Sequence, residues 1–178
     1  VLPFVAILGL SEWAVRIPSA LLGIGTVMLT YYLAKEIFQN RAVGIFSALL
    51  LALSPWHIHF SRGGWETNAA TFFMVWGILL FFKALKKPTL LFWSMMAFLA
   101  SMYTYQSPRL IIPMLILVLI ILYKNNVRSW LTNMMIHKLP VVLLAVILLV
   151  LSLPLVLQFT SGEGTARFQG LSFLSDRG

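Results

Sequence analysis

The rhythm of its apolar residues constrains this chain more than any other feature. Long, nearly uncharged blocks recur along the 178 residues, separated by short polar gaps. A helix that spans a bilayer needs roughly 20 mostly apolar residues. Six segments approach that length: 17–38, 43–59, 68–84, 90–105, 110–123 and 139–159; the fourth and fifth are short, joined by Gln106-Ser107-Pro108-Arg109, and read equally as two short helices meeting at a turn. In water such blocks would need a charged shell, and the chain has none to offer. It is 60% hydrophobic and 10% charged, against roughly a quarter charged in soluble domains. The pattern predicts an all-α fold, a polytopic transmembrane helical bundle. Residues 1–16 are expected to form an interfacial amphipathic helix, residues 17–159 a transmembrane domain of about six helices, and residues 160–178 the start of an outer loop or domain. The chain opens on Val1 with no basic stretch, and Ser175–Gly178 has the composition of a segment beginning. Both ends are therefore expected to be cut.

The formal charge of +8 comes from 13 Lys and Arg against 5 Asp and Glu. Because these charges sit between apolar blocks, they point to membrane topology and lipid headgroups rather than nucleic acid. Lys35 and Arg41, then Lys83, Lys86 and Lys87, then Lys124, Arg128 and Lys138 fall in alternate gaps, on one side of the expected weave. That side carries every lysine, and the positive-inside rule makes it cytoplasmic. The opposite side carries Arg16, Arg62, Arg109, Arg167 and Arg177, with no lysine. Arginine presents a rigid fork of donors suited to phosphate or carboxylate. The outer side is therefore where function is expected. The absence of cysteine excludes disulfides and thiolate metal sites.

Three polar stretches face that side. In 54–68, Gly63-Gly64 permits a sharp turn, and Glu66 opens the third span, where the helix dipole favours a carboxylate. Glu66 is either a helix-start acid or a carboxylate that orients an acceptor, a metal or a base, and Arg62 is expected to pair with it across the turn. His57 and His59 point to opposite faces of a helix but share one face of an extended chain. They are either a weak metal pair or interface histidines bonded to loop carbonyls. In 103–110, Arg109 opens the fifth span beside an apolar run, where a lone charge is costly. It either meets an anionic group or snorkels to the surface. Tyr103 and Tyr105 are belt residues or sugar-stacking platforms. In 11–19, Glu12 and Arg16 have the spacing of a helical ion pair, which would anchor the interfacial helix to the first span.

These stretches, Glu12-Trp13-Ala14-Val15-Arg16-Ile17-Pro18-Ser19-Ala20, Ser54-Pro55-Trp56-His57 with Ser61-Arg62, and Tyr103-Thr104-Tyr105 with Arg109-Leu110, resemble the GT-C glycosyltransferases. The branch they are most similar to is the superfamily of dolichyl-phosphate-mannose protein mannosyltransferases and aminoarabinose transferases. The resemblance runs from about Phe4 to Tyr123. It implies an inverting transfer from a polyprenyl-phosphate-linked sugar donor to a protein, lipid or glycan acceptor on the non-cytoplasmic face, in a bacterial or archaeal plasma membrane. It puts Glu66 in the place of the family's second outer-loop acid and Arg109 where a basic residue meets the donor phosphate. The family's principal acid precedes the interfacial helix, and no Asp precedes Asp176 here. That acid is expected upstream of residue 1, and the 178 residues alone are expected to be inactive.

The resulting assignment gives Glu66 and Arg62 to catalysis, and Arg109, His59, Tyr105 and Gln106 to substrate binding. No metal site is assigned, and a divalent cation is left open as a cofactor. Membrane lipids are the remaining expected partner. Two other readings stand beside this one. A transporter or lipid-handling protein would place charges or helix breaks near mid-membrane, and the spans have almost no central charge. A non-catalytic assembly subunit would leave the outer arginines without a purpose.

Overall fold

The computed structural model of the protein describes residues 4–6, 9, 11–128 and 130, all within one compact unit, Val1–Leu131. Every regular element among them is an α-helix. In chain order they are α1 (Glu12–Phe38), α2 (Arg41–Leu53), α3 (Pro55–Arg62), α4 (Glu66–Ala84), α5 (Leu90–Thr104) and α6 (Pro108–Leu122). The expected span over 139–159 and the outer segment 160–178, with Arg167, lie outside the described residues.

Local chemistry sets the breaks, and two differ from the sequence reading. First, α1 starts at Glu12 and runs unbroken through Pro18 to Phe38. Residues 12–16 thus continue into the expected first span instead of ending a separate interfacial helix. Pro18 removes one N–H from the ladder, and proline inside an apolar helix is tolerated where neighbouring helices support it. Second, the segment expected as one span over 43–59 is two helices, α2 and α3, bent by 62°. Ser54 precedes Pro55, and a residue before proline is pushed out of the helical region. Ser54 is extended (φ −66°, ψ 118°), and Pro55 takes the first position of α3, where its missing N–H costs nothing. Only α1 and α4 are long and apolar enough to cross a membrane alone; the bent α2–α3 pair makes a third. The 15-residue helices α5 and α6 reach about 22 Å each, short of a hydrocarbon core of about 30 Å. Among the described residues, 17–123 thus holds two or three full-length spans and two short helices that meet at the turn before Pro108.

The helices run up and down. Gln39 takes the left-handed conformation (φ 50°) at the end of α1, and Asn40 opens α2 by accepting a 2.8 Å bond from the Ala42 N–H. Lys86, just past α4, bonds Glu36 near the end of α1, so these ends share one side, the lysine end. Ser19 of α1 meets Asn68 of α4 at the other, the arginine end.

Between α4 and α5 the contact is a heptad seam of small residues. Ala70 and Gly77 face α5, and Ser94 and Ser101 face back, all buried. The Ser101 hydroxyl donates to the Ala70 carbonyl at 2.8 Å, and the Ser94 hydroxyl donates to the Gly77 carbonyl at 2.7 Å. Seven residues on α4 match seven on α5, so each hydroxyl falls on the carbonyl opposite. Small residues let backbones approach closely, and hydroxyls bridge them where no water competes. A Cβ at Gly77 would stand 2.7 Å from the Phe98 ring, and Phe98 is itself buried. Large apolar side chains instead cover the outward faces, such as Leu110, Met114, Leu117 and Ile121 along α6, as a lipid-exposed surface requires.

Gly77→Leu should therefore destabilise the intact protein by about 1–3 kcal/mol or prevent folding. Ser94→Ala should cost only about 0.5–1 kcal/mol. Thermal unfolding in detergent measures both, and equal stability of Gly77→Leu and wild type would contradict the seam.

Candidate functional site

At the lysine end α4 and α6 close on each other. Phe81 and Ala84 pack with Leu119 and Trp130 into one buried cluster. The Phe81 ring lies 6.0 Å from that of Tyr123 and 5.8 Å from that of Trp130. At the arginine end the same helices face each other across a cavity of about 420 Å³ that α3 also walls. This is the size of a small-ligand site. Its walls are mostly apolar, with His57, Thr67, Asn68, Thr71 and Tyr105 among the polar residues that line it.

A buried polar relay fixes the α3 and α4 walls to α1. Asn68, 3% exposed, sits in the first turn of α4, and its amide nitrogen donates to the Ser19 carbonyl at 2.7 Å and to the Ser19 hydroxyl at 3.1 Å. That hydroxyl in turn donates to the Phe60 carbonyl of α3 at 3.4 Å. His57 Nε2 donates to the Gly23 carbonyl of α1 at 3.2 Å, which fixes the proton on that nitrogen. The Thr67 hydroxyl is buried at the cavity with no hydrogen-bond partner. The turn between α3 and α4 depends on its two glycines for space as well as conformation. Gly64 has φ +70°, and its Cβ would meet Val15 of α1 at 2.7 Å; a Cβ on Gly63 would strike the Trp65 indole.

The six residues assigned from sequence fall around this cavity unevenly. Tyr105 lines it, at 36% exposure. Arg62, Glu66 and Arg109 do not line it, but each lies within two residues of one that does: Phe60, Thr67 and Pro108. They therefore occupy the same end of the molecule without converging in one pocket. Arg62 and Glu66 form no ion pair with each other among the described residues, contrary to expectation. Both are exposed, where such a pair gains little and loses side-chain entropy. Arg109 Nε donates to the Met102 carbonyl at 3.1 Å, a cation on the last turn of α5, where the helix dipole favours it. His59 lies exposed on α3, its ring edge-on to Phe60 at 5.5 Å. Being two residues from His57 on a helix, it faces away, so the two do not form a metal pair. Among the described residues no three His, Cys, Asp or Glu gather to hold a metal. Gln106 is exposed in the α5–α6 turn. Glu12 and Arg16 do pair, at 3.0 Å, on the exposed first turns of α1.

Sequence reasoning missed Ser19, Thr67 and Asn68, three small polar residues in helices otherwise apolar. Their signal was present: a polar side chain just inside an apolar span is expensive unless it meets a partner on another helix.

A family model described as dolichyl-phosphate-mannose-protein mannosyltransferase matches residues 3–154. Two relatives from Bacillus subtilis (strain 168) are similar to this chain. "Putative mannosyltransferase YkcB" is 35% identical over 92 residues, which is 52% of this chain and 13% of that protein. "Putative mannosyltransferase YycA" is 35% identical over 95 residues, 53% of this chain and 14% of that protein. The aligned stretch is thus a small part of either relative. No solved structure matches.

The relay makes a stability prediction. Asn68→Asp keeps the shape but replaces the donating amide by an acceptor against the Ser19 carbonyl. It should destabilise the protein by about 1–3 kcal/mol, measured by thermal unfolding at neutral pH. An unchanged midpoint would show that the amide holds nothing.

Proposed function

The chain belongs to the dolichyl-phosphate-mannose-protein mannosyltransferase family, and from that premise we propose that the intact protein transfers a sugar from a polyprenyl-phosphate donor to an acceptor at the arginine end of these helices. The observation that supports this most is the coincidence of the family match with the cavity. The matched residues include all of its walls, and Arg62, Glu66 and Arg109 each lie within two residues of its lining. On this reading the arginine end is the non-cytoplasmic side. The mostly apolar walls take the part of the substrates nearest the lipid, and the charged residues beside the cavity take the phosphate and the acceptor.

The chemistry follows from the leaving group. As the bond between the anomeric carbon and the phosphate oxygen breaks, its electron pair leaves with the phosphate. That group needs charge stabilisation rather than a proton. An arginine supplies this with no proton to lose. The bond of Arg109 Nε to the Met102 carbonyl fixes the plane of the guanidinium and so reduces the entropy lost when an anion binds. On the opposite face of the sugar the acceptor hydroxyl attacks the anomeric carbon, which inverts it, and its proton passes to a carboxylate. Among the described residues Glu66 is the carboxylate beside the cavity walls, and it makes no ion pair there. Arg62 assists it electrostatically from the end of α3, while His59, Tyr105 and Gln106 contact the sugar or acceptor. Tyr105 is best placed for this, since its ring is on the wall. The identity of the sugar is a property of the donor pocket of the whole protein.

With the intact protein and a radiolabelled polyprenyl-phosphate sugar, Arg109→Ala should lower transfer by about 100- to 1,000-fold, and Glu66→Gln by about 100-fold or more. Both should stay folded, because both side chains lie at helix ends. Wild-type rates in both variants would remove these residues from the mechanism; no transfer by the wild type from any polyprenyl-phosphate sugar would remove the reading itself.

A further inference from the structure

A second concavity lies along the α1–α2 face, outside the machinery above. It is a groove of about 440 Å³ between α1 and α2, almost wholly apolar, with Tyr31, Tyr32, Ile45, Ala48, Leu49 and Ala52 along it. Its depth comes from close helix contact and small side chains. A Cβ at Gly44 would meet the Tyr31 carbonyl at 2.9 Å, so α2 presses on α1 there. Ala48 and Ala52, one turn apart on α2, leave a trough beside the bulkier Ile45 and Leu49.

The mouth of the trough is cationic. Lys35 Nζ stands 5.9 Å from the centre of the Tyr31 ring, and Lys83 Nζ, reaching across from α4, stands 5.9 Å from the centre of the Tyr32 ring. The two rings are themselves edge to face at 5.0 Å. Each ammonium is thus attracted to a tyrosine that lines the groove. The nearby acid, Glu36, is engaged by Lys86. Neither Lys35 nor Lys83 forms an ion pair among the described residues, so two positive charges face the groove's mouth with no anion between them. Tyrosine and lysine are also the residues that sit at headgroup depth in a bilayer, which puts the mouth at the membrane surface and the trough in the acyl layer.

We infer that this groove holds one anionic phospholipid, with an acyl chain in the α1–α2 trough and the headgroup phosphate between Lys35 and Lys83. Both halves of such a molecule find their complement here: an apolar slot open to the hydrocarbon, and a pair of cations at its polar end. A zwitterionic lipid would fill the slot equally well but would gain much less from the lysines. The site does not depend on the glycosyltransferase reading, because none of its residues belongs to the catalytic assignment.

The test is native mass spectrometry of the intact detergent-purified protein, titrated with phosphatidylglycerol or with phosphatidylcholine of identical acyl chains. Wild type should retain phosphatidylglycerol in preference. Each lysine near an anionic headgroup contributes about fivefold, so Lys35→Gln with Lys83→Gln should reduce that preference about 25-fold. Lys87→Gln, at the same end but not on either ring, should leave it nearly unchanged. Ala48→Phe should weaken retention of both lipids by filling the trough. The inference is overturned if wild type shows no preference or retains no lipid, as it would if another helix covered the groove. It is overturned too if the double variant keeps the wild-type preference, or if Lys87→Gln abolishes it to the same degree.

Discussion

Helices surrounded by lipid gain nothing from burying one apolar face against another, because hydrocarbon is as apolar as leucine. What holds such helices in a fixed register is close backbone approach and the polar bonds that approach permits. In this protein the interaction on which the rest depends is the α4–α5 seam. There two serine hydroxyls reach carbonyls opened by Gly77 and Ala70. The seam fixes α4, and α4 is the helix on which the other contacts converge. It carries Asn68 to α1, Phe81 to α6 and Lys83 to Tyr32 of α1. A shift of one residue in the seam would move all three contacts together.

The cavity is a consequence of the same arrangement. Bulky rings close the lysine end, where Phe81, Tyr123 and Trp130 fill the space between α4 and α6. At the arginine end Trp56, Phe60 and Tyr105 line the cavity without filling it. There the Asn68–Ser19–Phe60 relay draws α4 and α3 onto α1, and the bend at Ser54-Pro55 turns α3 across the end of the helices. Aromatic packing at one end and hydrogen bonding at the other leave a space that is narrow toward the lysines and open toward the arginines.

The helical class was legible because apolar blocks and poor charge have one solution in lipid. The turn before Pro108 was also legible, since a residue before proline avoids the helical region; the same signal before Pro55 went unread. The exact partition was not legible. Treating 43–59 as one span discounted the restriction that Pro55 places on Ser54, and starting α1 at residue 17 gave Pro18 more breaking power than it has near a helix start. Around the cavity, charge pointed to residues at the same end of the molecule and was a poor guide to the wall. Arg62, Glu66 and Arg109 caught attention because charges in apolar sequence are conspicuous, yet the wall is built by Thr67, Asn68 and His57. Their roles depend on which helix stands opposite, and that is a long-range property: Ser19 and Asn68 are 49 residues apart. A single sequence gives the presence of a polar residue in a span but not its partner.

The division between lysine at one end and arginine at the other takes on a physical sense once both concavities are in view. Arg109 is tethered by its Nε to a helix-end carbonyl, so its guanidinium is oriented before any anion arrives. A planar, pre-oriented donor suits a phosphate that must be met in one geometry as charge develops on it. Lys35 and Lys83 stand over tyrosine faces on flexible stems. A compact ammonium on a mobile stem gains from any nearby anion without fixing its direction, which suits a headgroup that only has to be retained. Exchanging the two would damage both sites in opposite ways. Lysine at 109 would keep the charge but lose the fork and the tether. Arginine at 35 or 83 would hold a headgroup more rigidly than a lipid needs, at a greater cost in ordering. The side of the membrane thus accounts for where lysine is abundant, and the chemistry proposed at each concavity accounts for why arginine takes its place at the other end.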